Sequence, residues 1–352
     1  MLIARAPLRI SFAGGGTDLP AYYEQYEGAV ISTTIDKYFY AVVEADGIRS
    51  LQITSADYNT FYHHLSPGEI PWEDGDLRLP RAILHHFGIR HGLSLFLASE
   101  IPGGTGLGSS STVTVALVKA MSALCGISLA PGEIAEIASF IELRKLGAPI
   151  GKQDQYAAAF GGLRFYRFKK GSVVVEPIIL PLDVRIALEE RLCLFFTGGS
   201  REANRILRQQ QAGTMSGQNL ESLHAIRAMA ERAQQALSTG NLDDLAAVLH
   251  EGWMHKRHLA PEISNSRLDN LYELARRYGA RGGKLAGAGG GGFFLFYCEP
   301  EDQPRLTQAL QEEGLRRMDF RFSDIGAEVL INSGRRLRQL SRRDLGEILV
   351  TA

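Results

Sequence analysis

Phosphate groups are held best by backbone N–H groups that no side chain crowds, and three stretches of this sequence supply such backbone. They are AGGG at residues 13–16, PGGTGLGSSS at 102–111 and AGAGGGG at 286–292. The middle one follows a strand-like run, LSLFLASE, and leads directly into helix-like sequence that opens on serines. Free amides and the positive end of a helix dipole would both face whatever lies over such a loop. Ser109 also fits a plain helix N-cap, although a cap does not call for the glycines before it.

Phosphoryl transfer further requires a metal held by oxygen ligands, a group that positions or deprotonates the nucleophile, and positive charge near the transferring group. Each part has a candidate. Ser110 offers a hydroxyl where the loop meets the helix, and Glu142 lies at the edge of the apolar face of its helix. Asp154 sits in GKQDQYAAAFGG, directly before an apolar, Ala-rich run, and Arg9 is embedded in a strand-like run between Leu8 and Ile10. Singly, each also suits a structural role. Together with the glycine loops they point to phosphoryl transfer.

Two common nucleotide motifs are excluded. A Walker loop needs Gly-Lys-Ser/Thr, but Gly151–Lys152 is followed by Gln153 and Gly283–Lys284 by Leu285. Gly287, Gly289 and Gly292 match Gly-x-Gly-x-x-Gly literally, yet FFLFY follows where a dinucleotide fold would open a helix.

The elements that must position these residues alternate between the two periodicities. Strands are expected at residues 8–12, 29–35, 38–44, 93–98, 163–168, 173–177, 293–297 and 328–331. Helices are expected at 109–125, at 131–146 with Gly147 and Pro149 ending it, and at 304–313. From 201 to about 278 nearly everything reads as helix, with breaks at 213–217, Gly240 and Pro261. The composition changes near 181–190, the expected domain boundary. Lys and Arg number 38 against 39 Asp and Glu, so charge gives no reason to expect nucleic acid or a membrane as partner. Cys125, Cys193 and Cys298 fit neither a disulfide framework nor a metal site. The N-terminus does not read as a signal peptide, and no stretch approaches 18 apolar residues, so a cytoplasmic location is expected. The Arg-rich tail, Arg335 to Arg343, reads as a solvated terminal helix.

With these residues in hand, the sequence resembles the superfamily of galactokinase, homoserine kinase, mevalonate kinase and phosphomevalonate kinase. APLRISFAGGGTDLP is similar to its first motif, IPGGTGLGSSSTVTVAL to its phosphate loop, and GGKLAGAGGGGFFLF to its third motif. The resemblance spans about residues 3–298. It implies an α+β fold of two domains, 1–185 and a ferredoxin-like 186–352, with the active site in the cleft between them. It implies ATP binding by Pro102, Gly103, Gly104, Gly106, Leu107, Gly108, Ser109, Ser110 and Ser111, supported by Gly289 and Gly290. Asp154 takes the role of catalytic base, Arg9 that of the cation beside the transferring phosphate, and Ser110 with Glu142 that of Mg²⁺ ligands.

AGGGTDLP, FFTGGSREANRIL and LHEGWMHKRHLAPEISNSRLDNLYELARRYGARGGK resemble in particular the bacterial kinases of D-glycero-D-manno-heptose 7-phosphate, which form the 1,7-bisphosphate; fucose kinases share several of these features. This resemblance implies ATP and a small sugar phosphate as partners, in a monomer or homodimer. Thr17 and Asp18 are the expected sugar contacts. Arg201 is the first choice for reading the substrate's phosphate, with Lys37 and Lys152 as alternates. A non-catalytic sensor on this fold should have lost Asp154, Glu142, Ser110 or the loop glycines, and all are present.

Overall fold

The computed structural model describes residues 1–45, 50–57, 59–65, 70–198 and 203–333. The first sheet is built on two long strands, β1 (Leu2–Ala13) and β2 (Gly28–Glu44), with α1 (Pro20–Tyr26) between them. The two stretches expected at 29–35 and 38–44 are thus one strand. Its early part pairs with β6 (Arg164–Lys169) and its late part with β5 (Leu93–Ser99), while β1 runs along its other side. β3 (Leu51–Ser55) joins β5 in parallel and carries β4 (Thr60–His64); β7 (Ser172–Pro177) flanks β6.

Two local irregularities of these elements serve the site. Pro7 has no N–H to give the ladder, and the pairing of β1 with β2 shifts register between Pro7 and Arg9. The Arg9 amide bonds the Leu107 carbonyl at 3.1 Å, tying β1 to the phosphate loop. The helix expected over 131–146 is α4 (Pro131–Ser139) continued by a π-helical turn, Phe140–Lys145, before Gly147 ends it. α2 (Arg78–His86), α3 (Ser109–Leu124), α4 and α5 (Gln153–Phe160) share one core with the first sheet.

After α6 (Leu182–Arg191) comes the second sheet: β8 (Leu192–Phe196), β9 (Ala280–Leu285), β10 (Phe293–Cys298) and β11 (Arg316–Met318). Its order, β11-β8-β10-β9, all antiparallel, is the ferredoxin-like arrangement. Between β8 and β9 run α7 (Ala203–Met215), α8 (Leu220–Ser238), α9 (Leu242–Lys256) and α10 (Ser266–Arg277), as the helical composition indicated; α11 (Gln303–Glu312) precedes β11. Leu8, Ile10 and Phe12 of β1 share a second core with Leu245 and Leu249 of α9 and Leu295 of β10. β1 therefore serves both cores, Leu2, Ala4 and Ala6 packing into the first and Leu8, Ile10 and Phe12 into the second.

The expected boundary at 185 falls inside α6, and β12 (Phe322–Ser323) and β13 (Glu328–Asn332) return to the first sheet, on β2 and on the free edge of β1. An uncovered edge on so long a strand would invite pairing with other chains. No helix among the described residues is long and apolar enough to cross a membrane. The arginines expected to form a terminal helix lie outside the described residues.

Candidate active site

The glycine loop between β5 and α3 is held from both domains. Gly106 and Gly108 have φ of 91° and 79°, which only glycine adopts without strain. A side chain at Gly108 would also meet the Asp154 carboxyl at 3.3 Å. From the second domain, a Cβ at Gly287 would lie 2.5 Å from Gly106 Cα, and one at Gly292 2.1 Å from the Thr105 carbonyl oxygen. The Phe293 amide donates to that same oxygen at 3.2 Å, so the third glycine stretch is the backing of the phosphate loop. Gly108, not Ser109, is the N-cap of α3, and no side chain caps that helix. Its first-turn amides are left for a ligand over the loop.

Arg9 and Asp154 meet under the loop. The buried guanidinium donates from Nε to Asp154 Oδ1 at 2.7 Å, with a second nitrogen at 2.6 Å, and from its remaining arm to the Gly106 carbonyl at 2.8 Å. The Asp154 carboxylate is the more exposed partner and faces the cleft. Beside it, Asp18 accepts from the Gly16 amide at 2.9 Å and from the Gln153 backbone and side-chain amides at 3.2 and 3.1 Å. Burial, and less strongly the charge of Asp154, raise the Asp18 pKa above the usual carboxylate range. Gly151 has to be glycine, because a Cβ there would fall 1.9 Å from Asp18 Oδ2.

The π-helical turn places Glu142 beneath the start of α3. Its Oε1 accepts from Ser110 Oγ at 3.3 Å and its Oε2 from Gln155 Nε2 at 2.6 Å. Burial pushes its pKa up to about 7. Both donors are neutral, so a buried carboxylate and a hydroxyl stand together where a hard cation would compensate the charge. Two protein oxygens suit Mg²⁺, which keeps waters and phosphate oxygens as its other ligands.

The cleft has about 400 Å³ of room, lined by Arg9, Gly15, Asp18, Ser109–Ser111, Glu142, Asp154 and, from the second domain, Arg208, Lys256 and Gly287. Gly104, Gly106 and Gly108 line it as well, whereas Pro102 and Gly103 lead into the loop and Leu107 is buried in the core between the domains. In the third stretch Gly287 and Ala288 reach the cleft. Gly289 and Gly290 pack instead on Ile263, to whose carbonyl the Gly290 amide donates at 2.7 Å.

Of the expected sugar contacts, Asp18 lines the cleft and Thr17 does not. Thr17 is fully buried, its hydroxyl donating to the Gly14 carbonyl at 2.8 Å and accepting from the Ala29 amide at 3.0 Å, so it shapes the AGGGTD turn. Lys37 projects from β2 outside the cleft, 3.6 Å from Asp36. Lys152 bonds Glu136 at 2.8 Å and lines a neighbouring cavity. Arg201 lies outside the described residues. The cations that sequence reasoning missed are Lys256, at the end of α9 with its ammonium on the Gly287 carbonyl, and Lys284 on β9. Burial, then the charges of Lys256 and Arg9, push the Lys284 pKa well down. The one signal for Lys256 was its place in LHEGWMHKRH.

Family models for the GHMP kinases N-terminal domain and the GHMP kinases C-terminal domain match residues 78–162 and 229–315. The D-glycero-alpha-D-manno-heptose 7-phosphate kinase of Campylobacter jejuni is 34% identical over 92% of this chain and 97% of its own. The crystal structure of a D-glycero-D-manno-heptose 1-phosphate kinase from Bacteroides thetaiotaomicron superposes with a TM-score of 0.80 at 28% identity, covering 95% of this chain and 100% of that one. A bifunctional fucokinase/GDP-fucose pyrophosphorylase of Arabidopsis thaliana is 28% identical over 87% of this chain, which spans 31% of its length. With both models matched in order and a relative alike from end to end, the chain belongs to the GHMP kinases and is an ATP-dependent sugar kinase.

Proposed function

We propose that this kinase transfers the γ-phosphoryl group of ATP to the anomeric hydroxyl of D-glycero-D-manno-heptose 7-phosphate, giving the 1,7-bisphosphate. The observation that carries the chemistry is the Arg9–Asp154 pair, which presents one carboxylate to the cleft beside the uncapped start of α3. The substrate follows from the likeness to the Campylobacter enzyme.

In this reading the loop amides and the helix dipole hold the ATP phosphates, and Asp154 orients the sugar hydroxyl and takes its proton. Arg9 fixes the Asp154 rotamer and sets positive charge beside the transferring group. Asp18, held by three N–H donors, accepts from sugar hydroxyls. Ser110 and Glu142 would hold Mg²⁺, whose charge offsets that of the phosphate oxygens. The cytoplasm, with its ATP, is the compartment such a reaction requires.

The test is ADP release over heptose 7-phosphate, mannose, fucose and galactose. The highest kcat/KM is expected for heptose 7-phosphate. A clear preference for unphosphorylated fucose would replace the substrate assignment and leave the kinase chemistry standing.

A further inference from the structure

Resting on that substrate reading, we propose that the substrate's own phosphate lies over Gly15, held by the Lys256 ammonium, the Ser11 hydroxyl and the Gln153 side-chain amide. Gly15 lines the cleft and has no side chain to fill the space above it. The nearest heavy atoms to the point a Cβ would occupy are Gln153 Nε2 at 3.7 Å, Ser11 Oγ at 3.8 Å and Lys256 Nζ at 3.9 Å. All three are hydrogen-bond donors, from three separate elements, converging on one small space.

Ser11 adds an independent observation. It is 7% exposed, and its Oγ has no hydrogen-bond partner. Buried hydroxyls are nearly always satisfied, and this one, 3.8 Å from the point a Cβ of Gly15 would occupy, is left without an acceptor.

The charges agree. Arg9, Lys256 and Lys284 cluster here against Asp18 and Asp154, and the Asp18 oxygens already accept from Gly16 and Gln153. Among the described cations that line the cleft, Arg9 is tied to Asp154, and Arg78 and Arg208 stand exposed at the rim. Lys256 is the buried one facing the sugar side, its ammonium steadied by the Gly287 carbonyl. Lys37 and Lys152, as found above, point elsewhere.

The test compares D-glycero-D-manno-heptose 7-phosphate with the same heptose lacking its phosphate, in the wild type, Lys256→Met and Gly15→Ala. Gly15 does not have a positive φ, and an added methyl would meet its neighbours at ordinary contact distance, so Gly15→Ala fills the space without straining the backbone. Removing a charge-assisted hydrogen bond should lower the wild-type preference for the phosphorylated sugar, as a ratio of kcat/KM, by about tenfold or more. The loss should lie in KM, and calorimetric binding of heptose 7-phosphate without ATP should weaken by the same factor. A wild type that uses both sugars equally overturns the substrate reading, and the subsite with it. A wild type that discriminates, with both variants losing equally on the two sugars, overturns the subsite alone. So does selective loss in Arg208→Ala with none in Lys256→Met.

Discussion

Asp154 and Glu142 are both carboxylates in the cleft, but their surroundings assign them different work. Asp154 is partly exposed and gripped by Arg9, as suits a group that meets the substrate. Asp154→Asn should keep ATP affinity within a few-fold while turnover falls by roughly 10²–10⁴-fold, the usual contribution of a general base. Steady-state kinetics with a parallel nucleotide-binding titration checks this, and near-normal turnover would remove the role. Glu142 is buried among neutral donors, with a pKa of about 7 against an ordinary 4.5. Between those values the metal-free folded state holds more proton than the unfolded chain. This group's contribution to stability is therefore fullest below 4.5 and is lost as pH rises through 7. In EDTA, Glu142→Gln should melt above the wild type at pH 8, with the gain shrinking toward pH 5. In activity assays the same variant should need more Mg²⁺, and matching metal titrations would dismiss Glu142 as a ligand.

At the scale of elements, the glycine loop cannot be understood from β5 and α3 alone. Its floor is the stretch between β9 and β10, where Gly287 touches Gly106 backbone to backbone. Gly287→Ala adds a methyl at φ 70° and 2.5 Å from Gly106 Cα, so one of the two loops has to move. Strain of this kind costs about 1–3 kcal/mol. KM for ATP should rise about tenfold, although residue 287 is far in sequence from the phosphate loop, while Gly314→Ala, at a similar φ of 83° but with nothing within 4 Å and away from the cleft, should leave KM near the wild-type value. Equal KM values in the two variants would show that the third stretch does not support the loop. The π-helical turn belongs to this scale as well. The Leu146 amide bonds the Ile141 carbonyl at 2.9 Å, five residues back, and the wider turn carries Glu142 inward.

At the scale of the molecule, β1 is the common wall of both domains, and β13 closes its edge. Arg5 reaches Glu328 across that edge at 2.7 Å, a half-exposed pair worth under about 1 kcal/mol. The backbone pairing matters more. A chain ending at Arg321 loses β12 and β13 and bares the β1 edge, so it should unfold at lower temperature and aggregate relative to a chain ending at Ser333. Equal melting and light scattering of the two would show that the returning strands are dispensable.

The glycine loops, Arg9, Ser110, Glu142 and Asp154 could be read from the sequence, because backbone that must be bare and charges set in apolar runs leave local marks. The long helical middle was legible in composition, whereas the ferredoxin-like second half was expected only through the family resemblance, since its strands are far apart in the sequence. What the sequence could not show is where side chains point once distant elements meet. Thr17 stands next to Asp18 but turns inward, where its hydroxyl donates to the Gly14 carbonyl and accepts from the Ala29 amide. Lys37 and Lys152 have the charge of phosphate readers, but one leaves the cleft with β2 and the other pairs with Glu136. Lys256 looked like one charge in a helix rich in polar residues. Only the packing of α9 against β1 brings its ammonium to Gly15, some 240 residues away in the chain, because burial and direction are properties of the assembled fold.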